Sequence, residues 1–145
     1  MDQRLHIKSQ DLAFICTTSF SMWPFLRPGE KILVKRIPAE DLRIGDIILY
    51  RATNQVVCHR LVKKIKDKGK YLLYARGDNS GSSPELISEK VFFGKAIGIL
   101  RNGTMINLAA RRQQFINRLI VEIGPLVTRF KPYYVMFRKF VRDYK

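Results

Sequence analysis

The sequence predicts a mainly β protein: a coiled antiparallel β-sheet or small barrel carrying a C-terminal, basic α-helical extension. Three observations predict it. Short apolar and β-branched runs recur at close spacing, turn residues (Asn, Asp, Gly, Pro) separate them, and the periodicity becomes helical after about Asn107. At 145 residues the chain has the length of one domain with an appended element. We divide it into a β domain, residues 1–108, and an extension, residues 109–145.

Residues 11–16 read as a short strand or a helical turn. The stretch Thr-Ser-Phe-Ser-Met-Trp-Pro-Phe-Leu-Arg-Pro follows, from Thr18 to Pro28. Pro24 and Pro28 lack amide donors and fix φ, so it cannot continue as a helix or a central strand. Arg27-Pro28-Gly29-Glu30 is a turn. Residues 31–37 alternate apolar and basic side chains, the signature of a half-buried strand. Residues 38–45 connect, with one helical turn possible at Pro38-Ala39-Glu40-Asp41. Residues 46–51 (Asp-Ile-Ile-Leu-Tyr-Arg) are continuously apolar at their centre and predict a central strand.

A hairpin loop at residues 52–55 leads to a long strand, residues 56–66. Asp67-Lys68-Gly69 turns into a strand at 71–76, and residues 77–84 form a polar loop. Residues 91–100 are a fifth strand, with bulges or bends expected at Gly94 and Gly98. The turn Arg101-Asn102-Gly103-Thr104 leads to a last short strand, residues 105–108. Residues 109–124 read as a helix, with Phe115, Leu119, Ile120 and Ile123 near helical spacing, broken or kinked at Gly124-Pro125. Pro132 opens a second helix, in which Tyr133, Phe137, Phe140, Val141 and Tyr144 share one face. That basic, aromatic segment fits either packing on the sheet or lying on an anionic membrane.

Charge narrows the partners. Against 27 Lys and Arg stand 12 Asp and Glu, a net charge of +15, which favours anionic surfaces such as phospholipid or nucleic acid. No helix-turn-helix or RNA-binding signature accompanies it, and a solvated basic face accounts for Lys63, Lys64, Lys66, Lys68 and Lys70. Nucleic acid is therefore the weaker partner. Asp2, Arg4, Lys8 and Asp11 interrupt any secretory-signal pattern, and no apolar run approaches the roughly 20 residues of a spanning helix. The expected location is cytoplasmic or peripheral to a membrane. Cys16 and Cys58 stand in no CxxC spacing, and two histidines build no His-rich metal site, so neither a metal nor another cofactor is expected.

Ser21 sits in the apolar turn and fits either a nucleophile or an ordinary buried loop. His59 lies on one face of its strand with Val57 and Leu61. Burial there keeps an imidazole neutral, as a general base must be, and equally describes a satisfied core histidine. Gly77-Asp78-Asn79 ends a strand. Its Asp78 either caps the turn or orients the histidine as in a serine triad.

In order, Ser21-Met22-Trp23-Pro24, the run from Leu26 through Pro28-Gly29-Glu30 to Val34, the run from Leu42 to Tyr50, His59-Arg60-Leu61 and Arg76-Gly77-Asp78-Asn79-Ser80 resemble the signal peptidase I family. That group includes the LexA-type self-cleaving repressors. The resemblance covers residues 19–100 and implies a Ser–His peptidase of the endoplasmic-reticulum and archaeal kind. Ser21 falls on the nucleophile, His59 on the general base, and Ser19 on the serine whose hydroxyl assists the oxyanion hole. The Gly-Asp-Asn block makes Asp78 the acidic partner. Ser–His members carry a further Asp a few residues on, and the nearby acid here is Glu85. Met22 and Trp23 become candidates for the substrate cleft.

The function so implied is a serine endopeptidase that cleaves a peptide or protein precursor bound as an extended strand, with small side chains near the cut. The alternatives are a non-catalytic β module gripping membrane or nucleic acid, and a self-cleaving regulator. The extension lies outside the shared pattern and is the candidate for docking on membrane.

Overall fold

A computed structural model describes residues 12–143, with side chains described through Val127 and at Arg129. The fold is mainly β: a curled antiparallel half-barrel sheet followed by one C-terminal helix. The strands are β1 (Leu12–Cys16), β2 (Lys31–Lys35), β3 (Ile47–Ala52), β4 (Gln55–Asp67), β5 (Lys70–Arg76), β6 (Glu85–Ser88), β7 (Phe92–Arg101) and β8 (Thr104–Asn107). The helix is α1 (Arg111–Asp143). Strand order across the sheet is β1-β2-β7-β3-β4-β5-β6, with β8 paired to β7.

β3 is central, as its apolar run predicts, and it is buried on both faces. Ile47 and Leu49 enter one core cluster with Met22, Leu26, Ile32 and Ile99. Ile48 and Tyr50 enter the other with Leu61, Leu73, Ala75 and Ile87. Side chains alternating across the pleat explain how one strand feeds two cores.

The sheet curls where extra residues enter the ladder. Leu33 pairs with Gly98 and Val34 with Ala96, leaving Ile97 unmatched in β7. Leu49 pairs with Gly94 and Tyr50 with Phe92, leaving Phe93 unmatched. Both bulges adjoin the glycines expected to mark bends, and such insertions increase twist. A third shift, at Val62 between Leu61 and Lys63, bends β4 against β5.

Residues 12–16 resolve as a strand, and Ala39–Asp41 forms the expected short helical turn. The sequence pattern gives no signal for one strand, and one expectation requires correction. β6 lies between the polar loop of residues 77–84 and the strand expected at residues 91–100. Its four residues Glu-Leu-Ile-Ser are too few for a periodic signal, and pairing of Tyr74 with Leu86 and Leu73 with Ile87 creates the strand. The helix is not broken at Gly124-Pro125, nor begun anew at Pro132. It runs without interruption from Arg111 to Asp143. A proline ring imposes a φ that a helix already uses, and helix former residues on both sides propagate through the lost hydrogen bond.

α1 meets the sheet through the face of Asn117, which is buried. A Cβ on Gly45 would lie 2.9 Å from the Arg118 amide nitrogen, so only glycine admits the helix this closely. Arg43 Nη1 donates to Gln114 Oε1 at 3.0 Å beside this contact. Phe115, Leu119 and Ile123, aligned by helical spacing, point instead to solvent with Leu126 and Val127. The aromatic face proposed for residues 133–144 lies outside the described side chains. No helix among the described residues is long and apolar enough to cross a membrane.

Candidate active site

The serine turn is anchored at its base before it presents anything. Thr17 donates its amide to Glu30 O at 2.9 Å and its hydroxyl to Arg27 O at 2.7 Å. Gly29 N returns a bond to Thr17 O. Arg101 clasps the Glu30 carboxylate and donates to Phe25 O at 2.8 Å, which ties the turn to β7. The Arg101 guanidinium holds the Glu30 carboxyl below the usual carboxylate range. Within this frame Trp23 N bonds Phe20 O and Leu26 N bonds Met22 O, closing one tight coil around Ser21.

The Gly77-Asp78-Asn79 loop grips that coil from the other side. Asn79 N donates to Ser21 O at 2.8 Å, and Asn79 Nδ2 donates to Phe20 O at 3.3 Å. A Cβ on Gly77 would stand 2.6 Å from Ser21 O, so the approach requires glycine. Ser21 N donates to Ser19 Oγ at 3.1 Å, so that amide is engaged by the side chain with which it was expected to form an oxyanion hole.

Ser19, Ser21, His59 and Glu85 all line one cleft of about 390 Å³, floored by Met22 and Leu49. Met22 is therefore a cleft residue from below. Trp23 is 48% exposed and does not line the cleft, in contrast to its expected place there. Ser21 Oγ and His59 face the same space without a hydrogen bond between them. His6, the other histidine, lies outside the described residues.

His59 projects from β4 on the face shared with Ile48, Tyr50 and Leu61. Its Nδ1 lies 2.9 Å from the Tyr50 hydroxyl. Tyr50 in turn donates to Glu85 Oε2 at 2.6 Å. The two rings meet edge on, 6.0 Å between centroids. Burial lowers the His59 pKa below its ordinary value, an effect that the Glu85 and Asp78 carboxylates oppose. The imidazole is accordingly neutral near pH 7. Burial and the Glu85 contact raise the Tyr50 phenol, so it keeps its proton.

Asp78 is placed differently from its expected role beside His59. Both of its oxygens are taken by Arg60, Nε to Oδ1 at 2.7 Å and Nη2 to Oδ2 at 2.6 Å. Arg60 also donates to Gly45 O and stacks over the Phe25 ring. A bidentate guanidinium fixes the carboxylate in place, and no hydrogen bond runs from it to the imidazole. Asp78 thus fastens the loop that holds Ser21, and Glu85 is the carboxylate connected to His59.

Sequence reasoning missed Arg60 and Tyr50. Arg60 carried a readable signal: an arginine within an apolar strand requires a buried acid. Tyr50 carried none, because its partners are set by sheet curvature. Cys58 is half-buried and desolvation pushes its thiol up to about 12, which makes it inert; Cys16 is exposed, and both are free. Among the described residues no group of three His, Cys, Asp or Glu side chains could hold a metal ion. No protein-family model matches the chain, and no curated protein matches it.

Proposed function

We propose that this protein is a serine endopeptidase of the signal peptidase I-like kind, acting through Ser21 and His59. The observation that carries the reading is the convergence of Ser19, Ser21 and a neutral, half-buried His59 on one cleft, from segments some 40 residues apart. Neither side chain alone distinguishes an enzyme from a core. A hydroxyl nucleophile needs a base, and an imidazole held neutral at pH 7 supplies one.

Ser21 Oγ attacks the scissile carbonyl while His59 accepts its proton. The Ser19 hydroxyl, whose oxygen accepts the Ser21 amide, turns its own proton toward the developing oxyanion. His59 then returns the proton to the departing amine, and water releases the acyl-enzyme by the reverse sequence. Substrate closes the gap between Ser21 and His59, as hydrogen bonds in unliganded sites commonly tighten on binding. The precursor enters as an extended strand against the edge of β1, which among the described residues pairs only with β2.

A fluorophosphonate probe followed by intact mass tests this reading. The expected result is one adduct on Ser21, lost in Ser21→Ala and strongly slowed in His59→Ala. Equal labelling of all three proteins would overturn it.

A peripheral membrane location belongs to the same proposal, on a separate observation. Phe115, Leu119, Ile123 and Leu126 form an exposed apolar stripe on α1, flanked by the exposed basic residues Arg111, Arg112, Arg118 and Arg129. A strongly basic chain with such a stripe suits an anionic lipid surface.

A further inference from the structure

The geometry points to Tyr50 as the positioning residue of the site: it couples the Glu85 carboxylate to His59 and sets which imidazole nitrogen is free to act as base. The inference rests on the peptidase reading for its purpose, but its geometry stands independently of that reading.

A phenol has one proton to give. Tyr50 Oη lies between two groups, Glu85 Oε2 at 2.6 Å and His59 Nδ1 at 2.9 Å. An ionised carboxylate only accepts hydrogen bonds, so the shorter contact takes the phenolic proton. The phenol oxygen is then an acceptor toward Nδ1. His59 satisfies it only by carrying its own proton at Nδ1, which leaves the lone pair on Nε2. The carboxylate thus fixes the tautomer through an intermediary, with no direct hydrogen bond to the imidazole.

Electrostatics favours the same arrangement when the base is loaded. As His59 accepts the serine proton at Nε2, its Nδ1 proton stays in place and positive charge develops on the ring. The Tyr50 oxygen, polarised by Glu85, receives that charge. The phenol is anchored for this role: Tyr50 is buried in the core with Ile48, Leu61 and Leu73. The charged or titratable groups facing His59 are Tyr50 from β3, Glu85 from β6, Asp78 from the loop after β5, and Cys58 and Arg60 beside it on β4. Asp78 is held by Arg60, and Cys58 is neutral, so neither competes for Nδ1.

The experiment is nitrogen NMR of the full chain labelled with 15N-histidine, with His6→Gln used to assign the two rings. The expected wild-type spectrum at pH 8 shows His59 protonated at Nδ1 and bare at Nε2. In Glu85→Ala the phenolic proton is released to Nδ1, and the expected tautomer inverts to Nε2–H. In Glu85→Gln the amide oxygen still accepts from the phenol, and the wild-type tautomer is retained. In Tyr50→Phe, nearly isosteric in the core, the fixed preference is lost. A residue that merely fills space predicts the same tautomer in all four proteins, and that result would overturn the proposal, as would a wild-type ring bare at Nδ1.

Fluorophosphonate labelling on the same samples separates the two claims. Tyr50→Phe is expected to slow it about tenfold, the scale of one lost hydrogen bond. The expected tautomers without any Ser21 labelling would uphold Tyr50 and refute the peptidase.

Discussion

Two carboxylates near His59 have different jobs, and single substitutions separate them. Asp78 is bound at both oxygens by Arg60, with 8% and 1% of the two side chains exposed. Removing one member of such a buried pair leaves the other charge uncompensated. We predict that Asp78→Ala destabilises the fold by about 3–5 kcal/mol, read by urea denaturation. Glu85 acts on His59 by charge. Burial depresses the His59 pKa and Glu85 partly restores it, so the neutral imidazole persists above that depressed value and is lost as pH falls through it. Ser21 labelling should therefore fall on acidification with a midpoint below the ordinary imidazole value. In Glu85→Gln that midpoint should move lower still, because the charge that favours imidazolium is gone. A midpoint that moves upward would contradict the assignment.

At the scale of elements, the site depends on close approaches of backbone. The loop after β5 holds the Ser21 carbonyl only because Gly77 leaves room for it. Gly77→Ala must separate the two segments, and displacement of a nucleophile by about 1 Å costs roughly 100-fold in rate. We expect a labelling rate lower by that order with the β-sheet circular dichroism unchanged. Gly45 plays the matching part for α1, where a Cβ would strike the helix backbone at Asn117 and Arg118. Gly45→Ala should release the first turns of α1, seen as faster amide exchange there, and leave β3 to β5 protected. The site elements were readable to differing degrees. β3, β4 and β5 announce themselves through apolar runs between turns, whereas β6 is created by its partner β5 and shows almost nothing in its four residues.

At the scale of the whole molecule, curvature assembles the site. Three strand-to-strand steps separate β3 from β6, roughly 14 Å in a flat sheet at about 4.8 Å per step. Yet the Tyr50 hydroxyl meets Glu85 at 2.6 Å. The bulge at Val62, between β4 and β5, lies within this span and adds to the bend that makes the reach possible. The net charge of +15 also acts at this scale. If the exposed stripe of α1 enters lipid, the protein should float with anionic liposomes and detach as salt screens the attraction. Replacing Phe115, Leu119 and Ile123 together by Ser should lower the partition at least about tenfold, since burying each such side chain is worth about 1.5–3 kcal/mol. Flotation unaffected by the substitutions would place the lipid contact elsewhere.

The sequence by itself determined the β class, most strands, the turns between them, the switch to helix and the candidates Ser21 and His59, because these follow from local periodicity and residue chemistry. Which acid is linked to the imidazole follows only from tertiary contacts. Asp78 and Glu85 are both plausible by spacing, and the choice between them turns on Arg60 claiming one and Tyr50 bridging to the other. Tertiary structure also decided that α1 continues through two prolines, and which of its faces meets the sheet. These outcomes depend on contacts between segments distant in the chain, and a linear pattern holds no record of how far a sheet will curl.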